Sequence, residues 1–218
     1  MEIPNRLAVE DGFARRLGRL SRRHREELLS YLGTPPDVSR VPEAFWAKVR
    51  EEQENEMLTV LLLIAAASAD THGADPDLAR SIADDYATGQ AATVAAGYVE
   101  VSRDVLADKA RRWAETPPTV ADVRDDIGTI FGPERDARIA VNETTEAQTR
   151  AGERTVQATV GTSPEDIWRI TPPRVCQICK PLDGTPRSNW ARFFPGGPPE
   201  PHVGCKCEIV YANLMATA

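Results

Sequence analysis

The sequence predicts a mainly α-helical protein with a small α+β module at its C-terminus. Three observations lead to this fold class. Apolar residues recur at helical spacing from residue 7 to about residue 160, and short β-branched and aromatic runs replace that period afterwards. All four cysteines lie in RVCQICKPLDGTPRSNWARFFPGGPPEPHVGCKC, Arg174 to Cys207. We therefore expect long N-terminal helices, then short strands and a Cys-rich Pro/Gly loop clipped by a metal.

The first predicted helix spans Leu7 to Leu32. Gly33, followed by Pro35 and Pro36, ends it. His24 falls on its apolar stripe, so we interpret it as a half-buried packing histidine. The stripe recurs at steps of three, four or eight residues and consists of Phe13, Leu17, Leu20, Leu28 and Tyr31.

The opposite face of this helix is basic. We interpret it as a solvated surface, and docking to DNA or to an acidic protein surface is the alternative. Glu26 and Glu27 follow and partly cancel the positive field. The basic residues are Arg15, Arg16, Arg19, Arg22, Arg23 and Arg25.

Further helices are predicted up to Val160. The second runs from near Pro42 to about Ala69, and its apolar run from Met57 to Ala69 is too short to span a membrane. The third begins at Pro76 with Asp75 as its N-cap. It continues to about Ala114 as one helix or a broken pair.

Three sequence signals shape the rest of the helical part. Gly89 and Gly97 allow close helix packing or a kink. Thr119 is a candidate cap for a short helix, and Gly132-Pro133 opens a helix from Glu134 to about Val160. We divide the chain into a helical region, 1–132, and a C-terminal domain, 133–218, that contains the metal loop.

Two short strands are predicted in the C-terminal module, Ile167 to Ile170 and Glu208 to Tyr211. The segment between them is too rich in proline for a ladder of backbone hydrogen bonds, and too short for its own core. Its prolines are Pro172, Pro173, Pro181, Pro186, Pro195, Pro198, Pro199 and Pro201.

The cysteines are the obvious clip for this segment. Cys176-x-x-Cys179 has zinc-knuckle spacing, and His202-x-x-Cys205-x-Cys207 offers a second ligand pair and a fifth candidate. Cys₄ and Cys₃His ligand sets both remain open. A structural Zn²⁺ would supply the folding energy that the loop lacks.

Two disulfides or four free thiols are the alternatives to zinc. MEIPNRLAVEDG has no basic start followed by an apolar core. We therefore expect a chain made and folded in a cytoplasm, where thiols stay reduced. This expectation disfavours disulfides.

No catalytic pattern accompanies the cysteines. His202 is followed by Val203 and Gly204, which does not fit the H-x-E pattern of zinc deaminases. The sequence contains no H-E-x-x-H, G-x-S-x-G or phosphate loop. We expect no catalytic residues and no enzymatic activity, and the net charge of −7 argues against wholesale nucleic-acid binding.

Other residues of the loop have plainer interpretations. Asp183 in the turn LDG can cap or order the loop. Trp190, Phe193 and Phe194 are expected to pack over the clip, with an exposed patch for a protein partner as the alternative.

Three blocks follow one another in the C-terminal part of the chain: RIAVNETTEA (Arg138 to Ala147), VCQICKPLDG (Val175 to Gly184) and PPEPHVGCKC (Pro198 to Cys207). Together they resemble the phage Mu protein F-like minor head proteins, also called phage head morphogenesis proteins. The blocks cover about the last 80 residues. Family members often have proline where this chain has Gln177, and Pro-Asn where it has Val203-Gly204.

The resemblance implies a minor capsid protein of a tailed phage or prophage, with no catalytic residues. It implies a portal-associated virion component in head morphogenesis and genome packaging or ejection. The implied partners are the portal protein, the major capsid protein and packaged DNA, without a membrane. We expect Glu143, Thr144 and Thr145, which match the family's helix motif, to buttress the metal loop.

The alternative function has a different class. It is a zinc-dependent DNA-binding protein, or a nuclease or toxin-type effector carrying a Mu F-like domain. The acidic net charge favours the structural function.

Overall fold

A computed structural model describes residues 5–171 and 176–216. It confirms the mainly helical fold class with a small antiparallel sheet and a cysteine cluster near the C-terminus. The five long helices are α1 (Arg6–Leu32), α2 (Glu43–Thr71), α3 (Pro76–Glu115), α4 (Val120–Ile130) and α5 (Pro133–Thr159). The C-terminal module contains β1 (Ile167–Arg169), α6 (Arg187–Trp190), β2 (Glu208–Val210) and α7 (Ala212–Ala216).

Capping residues set the starts of α3 and α4 as the sequence predicts. The Asp75 side chain accepts hydrogen bonds from the backbone N–H groups of Asp77 and Leu78. Thr119 forms a reciprocal capping box with Asp122.

Helix α3 is one unbroken helix of 40 residues, and its glycines do not serve close packing. A Cβ atom at Gly89 or Gly97 would meet no atom within 4 Å. The predicted close approach at these glycines is therefore wrong, and so is the alternative of a broken pair.

The helical core has two parts. Near one end, Phe13 and Leu17 of α1 pack with Met57 and Leu61 of α2. Towards the other end, α4 closes a second apolar cluster; its members include Leu28, Phe45, Trp46, Tyr98, Trp113 and Ile127.

His24 lies inside this core rather than half-buried at its edge. Its side chain is fully buried, and its Nε2 atom lies 2.6 Å from a carboxylate oxygen of Glu52. Burial lowers the pKa of His24. The stripe was correctly identified, but the predicted degree of exposure was wrong.

Helix α5 connects the helical core to the C-terminal module. Its buried Ala140, Ala147 and Ala151 pack in the same core as α1, α2 and α3. One turn further on, Val156 belongs to the apolar cluster of the module. The domain boundary at residue 132 remains a prediction.

The sheet of the module is small. Strands β1 and β2 pair antiparallel, with Trp168 opposite Ile209 and Arg169 opposite Glu208. On the other side of β1, Trp168 exchanges backbone hydrogen bonds with residues 184 and 185. Within the part of the chain that the structure describes, no helix is long and apolar enough to cross a membrane.

Candidate metal centre

The sheet brings the two predicted ligand pairs to one place. Arg169, at the end of β1, pairs with Glu208, at the start of β2. Cys205 and Cys207 come directly before β2, and Cys176 follows β1 after a short connection. Both pairs therefore lie at the same end of the sheet, although about 25 residues separate them in the sequence.

A tight turn presents the first pair. The backbone N–H of Lys180 donates to the carbonyl oxygen of Cys176 at 3.0 Å. The backbone N–H of Cys179 donates to the Sγ atom of Cys176 at 3.2 Å. This N–H···S contact is a feature that stabilises thiolates in metal-binding knuckles. Val175, at the start of the second block, lies outside the described residues.

His202 reaches across to this pair. Its Nε2 atom lies 2.9 Å from Sγ of Cys176 and 3.2 Å from Sγ of Cys179. Its Nδ1 atom lies 3.0 Å from the carbonyl oxygen of Val203, which only accepts, so Nδ1 carries the hydrogen. The lone pair of Nε2 is then directed at the two sulfur atoms, which is the tautomer that a metal ligand needs.

The second pair adds two buried thiols to the cluster. Sγ of Cys205 lies 3.8 Å from Sγ of Cys179. Sγ of Cys207 lies within 4.8 Å of both of these sulfur atoms. The ligand atoms form two triads that share Cys179. One triad is Cys176, Cys179 and His202, and the other is Cys179, Cys205 and Cys207; each has all its ligand atoms within 4.8 Å of one another. These five residues are positioned to bind a metal ion.

One pair of sulfur atoms has the spacing of two ligands on a tetrahedral ion. With metal–sulfur bonds of about 2.3 Å, two thiolates on a tetrahedral ion lie about 3.8 Å apart. The Cys179 and Cys205 sulfurs have this separation, whereas a disulfide needs about 2.0 Å. All four cysteines are free, so the disulfide alternative finds no support in the geometry.

The buried thiols influence one another. Hydrogen bonding from Cys205 lowers the pKa of Cys207 to about 6, and the same bond raises the pKa of Cys205. Burial raises the pKa of Cys179. A cation that binds these closely spaced sulfurs would displace their protons.

Helix α5 supports the second ligand pair through one of the three residues expected to do so. The Thr145 hydroxyl, almost fully buried, lies 2.5 Å from the carbonyl oxygen of Cys205. Thr144 is also buried. Glu143 instead accepts a hydrogen bond from the Gln90 side chain of α3 at 2.8 Å. The prediction that Glu143 contacts the metal loop was therefore wrong, because its partner is Gln90 of α3.

Aromatic residues cover the cluster on the side of the sheet. The buried rings of Trp168 and Trp190 pack edge to face, with their centroids 5.5 Å apart. The ring centroid of Phe194 lies 6.2 Å from that of Trp168. Phe193 is 72% exposed, so the prediction that all three loop aromatics pack inward was wrong for this residue. Asp183 orders the loop as expected, because its carboxylate accepts a hydrogen bond from the backbone N–H of Ile170.

Asp166 organises the module, although no sequence pattern singles it out. Its carboxylate is fully buried and accepts hydrogen bonds from backbone N–H groups of Ser163 and Ala212 and from the Arg187 guanidinium. Its carbonyl oxygen accepts from the Trp190 indole. The spacing Ser163-x-x-Asp166 is a local turn signal. The contacts of Asp166 with Arg187 and Ala212 have no corresponding sequence pattern.

A cavity of about 350 Å³ adjoins the cluster. Cys176 and His202 line it on one side, and Ala137 and Val141 of α5 line it on the other. It adjoins the less buried of the two triads, which consists of Cys176, Cys179 and His202.

Comparison with known proteins adds no family to this geometry: no family model, curated protein or solved structure matches the chain. The resemblance to Mu F-like proteins therefore stays a prediction from the sequence.

Proposed function

We propose that this protein is a minor head protein of a tailed phage or prophage, with a C-terminal module held together by a structural zinc ion. In this function the helical region docks to the portal and major capsid proteins, and the protein acts in head morphogenesis and in packaging or ejection of the genome. The protein is a virion component made in the cytoplasm of a bacterial host.

One observation carries the proposal. The three sequence blocks of the resemblance form a single site. Thr145 of the first block contacts the Cys205 carbonyl of the third, and His202 of the third contacts the Cys176 and Cys179 thiols of the second. Residues that share a sequence pattern with a family and also meet in space support a common module rather than three coincidental matches.

Zinc is the metal that the ligands favour. Thiolate and imidazole donors in a tetrahedral arrangement suit Zn²⁺ better than the hard cations Mg²⁺ and Ca²⁺. The thiols of Cys179, Cys205 and Cys207 are buried in the apolar cluster of the module. An ion held there would replace the core that the proline-rich loop does not have, which is a structural role.

The zinc part is tested with the purified, reduced chain. Elemental analysis should give about one zinc per chain. Cys176→Ser should lose the metal and become protease-sensitive after about Val160, while the helical region survives. Ile178→Ser is the matched control, because Ile178 lies between the two cysteines and is half exposed. Equal protease resistance of the metal-free and metal-loaded proteins would contradict the structural role.

The virion part needs a separate experiment. The chain should be co-expressed with the portal and major capsid proteins encoded beside its gene. We expect a few copies to co-sediment with portal-containing heads and to be absent from heads assembled without portal. Uniform recovery of the chain in the soluble fraction would refute a head function even if the zinc is present.

DNA binding is a second candidate, and one feature favours it. Arg16 and Arg23 of α1 are paired with Glu56 and Glu52 of α2. The outward-facing Arg15, Arg19 and Arg22 are exposed and have no ion pair among residues 5–171 and 176–216. If they contact phosphates, retardation of duplex DNA should weaken steeply with salt, and changing the three to Gln should flatten that dependence.

A further inference from the structure

Arg6, at the start of α1, is a buried cation with an unusually full set of acceptors. Its side chain is 3% exposed. Its Nε donates to the Glu10 carboxylate at 2.8 Å, one Nη to the Thr145 hydroxyl at 2.5 Å, and the other Nη to the side-chain oxygen of Gln148 at 3.2 Å. A buried guanidinium with this many partners is held in one orientation.

Two of its contacts lead directly to the metal loop. The Nη group that meets Gln148 also donates to the carbonyl oxygen of Lys206, 200 positions away in the sequence, at 3.2 Å. Thr145, which accepts from Arg6, places its own hydroxyl 2.5 Å from the carbonyl oxygen of Cys205. The carbonyl oxygens of two consecutive residues, Cys205 and Lys206, are thus contacted by one threonine and one arginine.

The charges of Arg6, Glu10 and Lys206 complement a metal-thiolate site. Lys206 forms an ion pair with the buried carboxylate of Glu10, which also pairs with Arg6. Two cations and one carboxylate leave one surplus positive charge next to Cys205 and Cys207. A divalent ion with three thiolates and an imidazole carries one net negative charge, and with four thiolates it carries two. The surplus cation therefore opposes the charge that the loaded site acquires.

We infer that Arg6 is a positioning residue of the metal centre, which holds the backbone of Cys205 and Lys206 so that the Cys205 thiol lies at the distance that one ion requires. The inference rests on the metal binding proposed above. Since Arg6 lies on α1 and the ligands lie in the C-terminal loop, ion binding and docking of the first turn of α1 stabilise each other. The coupling is reciprocal, as linkage between two binding events must be.

The test compares Arg6→Met with Arg15→Met in the full chain. Arg15 lies on the same helix, faces solvent, and has no ion pair within the described residues. Affinity for Zn²⁺ is measured by competition with a chromophoric chelator. We expect Arg6→Met to weaken binding about 10- to 100-fold, as loss of an outer-shell partner commonly does, and Arg15→Met to leave it unchanged.

A second readout separates positioning from general destabilisation. Co²⁺ replaces Zn²⁺, and its ligand-field and thiolate charge-transfer bands report the geometry of the site. We expect these bands to shift in Arg6→Met and to match the wild type in Arg15→Met. Amide hydrogen exchange in residues 6–10 should also slow on adding metal to the wild type, and much less in Thr145→Val.

The outcomes distinguish the two proposals. If the wild type binds no metal, the zinc site itself is refuted. If the wild type binds metal and Arg6→Met has the same affinity and the same Co²⁺ spectrum, the role of Arg6 is refuted while the site stands. Should Arg6→Met lose its helical circular dichroism, Thr145→Val decides by the same measurements, because it removes the hydroxyl and keeps the packing volume.

Discussion

His202 donates its Nδ1 hydrogen to the carbonyl oxygen of Val203, at a distance of 3.0 Å. This bond to the next residue fixes the imidazole tautomer, so the Nε2 atom carries a lone pair that is directed at the sulfur atoms of Cys176 and Cys179. The relationship bears on the ligand set that the sequence left open, because a histidine with a fixed tautomer is prepared to coordinate.

The first prediction is that His202 is a ligand and Cys207 is not. This ligand set joins the triad of Cys176, Cys179 and His202 to Cys205, whose sulfur lies 3.8 Å from that of Cys179. Cys207 then remains as a hydrogen-bonded neighbour of Cys205. His202→Ala should weaken zinc binding by at least about tenfold. Cys207→Ser should keep one zinc and a spectrum with three thiolate–Co²⁺ bonds.

The opposite result has a clear signature. Four thiolates around Co²⁺ give a stronger charge-transfer band than three thiolates and an imidazole. If His202→Ala retains the wild-type affinity while Cys207→Ser loses this intensity, the ion is bound by four cysteines.

The second prediction concerns Asp166 and its exposed neighbour Glu165. Asp166→Ala leaves two backbone N–H groups without their buried acceptor, and Glu153 remains as the carboxylate partner of Arg187. It should therefore cost about 3 kcal/mol of unfolding free energy in the module. Glu165→Ala should change it by less than about 0.5 kcal/mol. Chemical denaturation followed by tryptophan fluorescence measures both, since Trp168 and Trp190 lie in this module. Equal effects of the two variants would show that Asp166 does not hold the module together.

The helices were predictable because their signals are local. Apolar spacing, the Asp75 and Thr119 caps, and glycine and proline breaks each act within a few residues. The predicted ends of α1 and α2 differ from the observed ones by about two residues or less, which is the usual uncertainty of helix termini.

The candidate site was predictable only as far as its ligands. Cysteine and histidine spacing identifies the five donors, because coordination chemistry restricts residue type and separation. Arg6 and Asp166 were missed because their partners lie on other elements of the fold. That buried polar groups are hydrogen-bonded holds for every buried carboxylate and guanidinium, so it does not indicate which partners these two residues have. Nothing in the sequence pairs residue 6 with residue 206 before the fold brings them together.

The third prediction uses two helical glycines as a matched pair. A Cβ atom at Gly152 of α5 would lie 2.8 Å from the His72 ring, whereas one at Gly89 of α3 would meet open space. Gly152→Ala should therefore destabilise the protein by about 1–3 kcal/mol through overpacking. Gly89→Ala should stabilise it by about 0.5–1 kcal/mol, because alanine favours the helix. Thermal unfolding that shifts both variants upward would contradict the tight contact between α5 and His72.

The fourth prediction is a pH dependence from His72. Burial lowers the pKa of this histidine, whose Nδ1–H donates to the carbonyl oxygen of Ser68 at 2.7 Å and whose ring packs edge to face on Tyr211. The folded state therefore favours the neutral ring, while the unfolded chain binds a proton near pH 6.5. The stabilisation is complete above that pH and is lost as pH falls towards the folded pKa, at up to about 1.4 kcal/mol per pH unit.

His72→Gln removes this titrating group. The variant should be less stable than the wild type at pH 7.5, and the difference between the two should shrink as pH falls below about 6.5. Urea denaturation at a series of pH values from 7.5 to about 5 measures that difference, in which the contributions of the other titrating groups cancel. Parallel stability curves for the two proteins would mean that His72 titrates alike in the folded and unfolded chains, contrary to its burial against Gly152 and Tyr211.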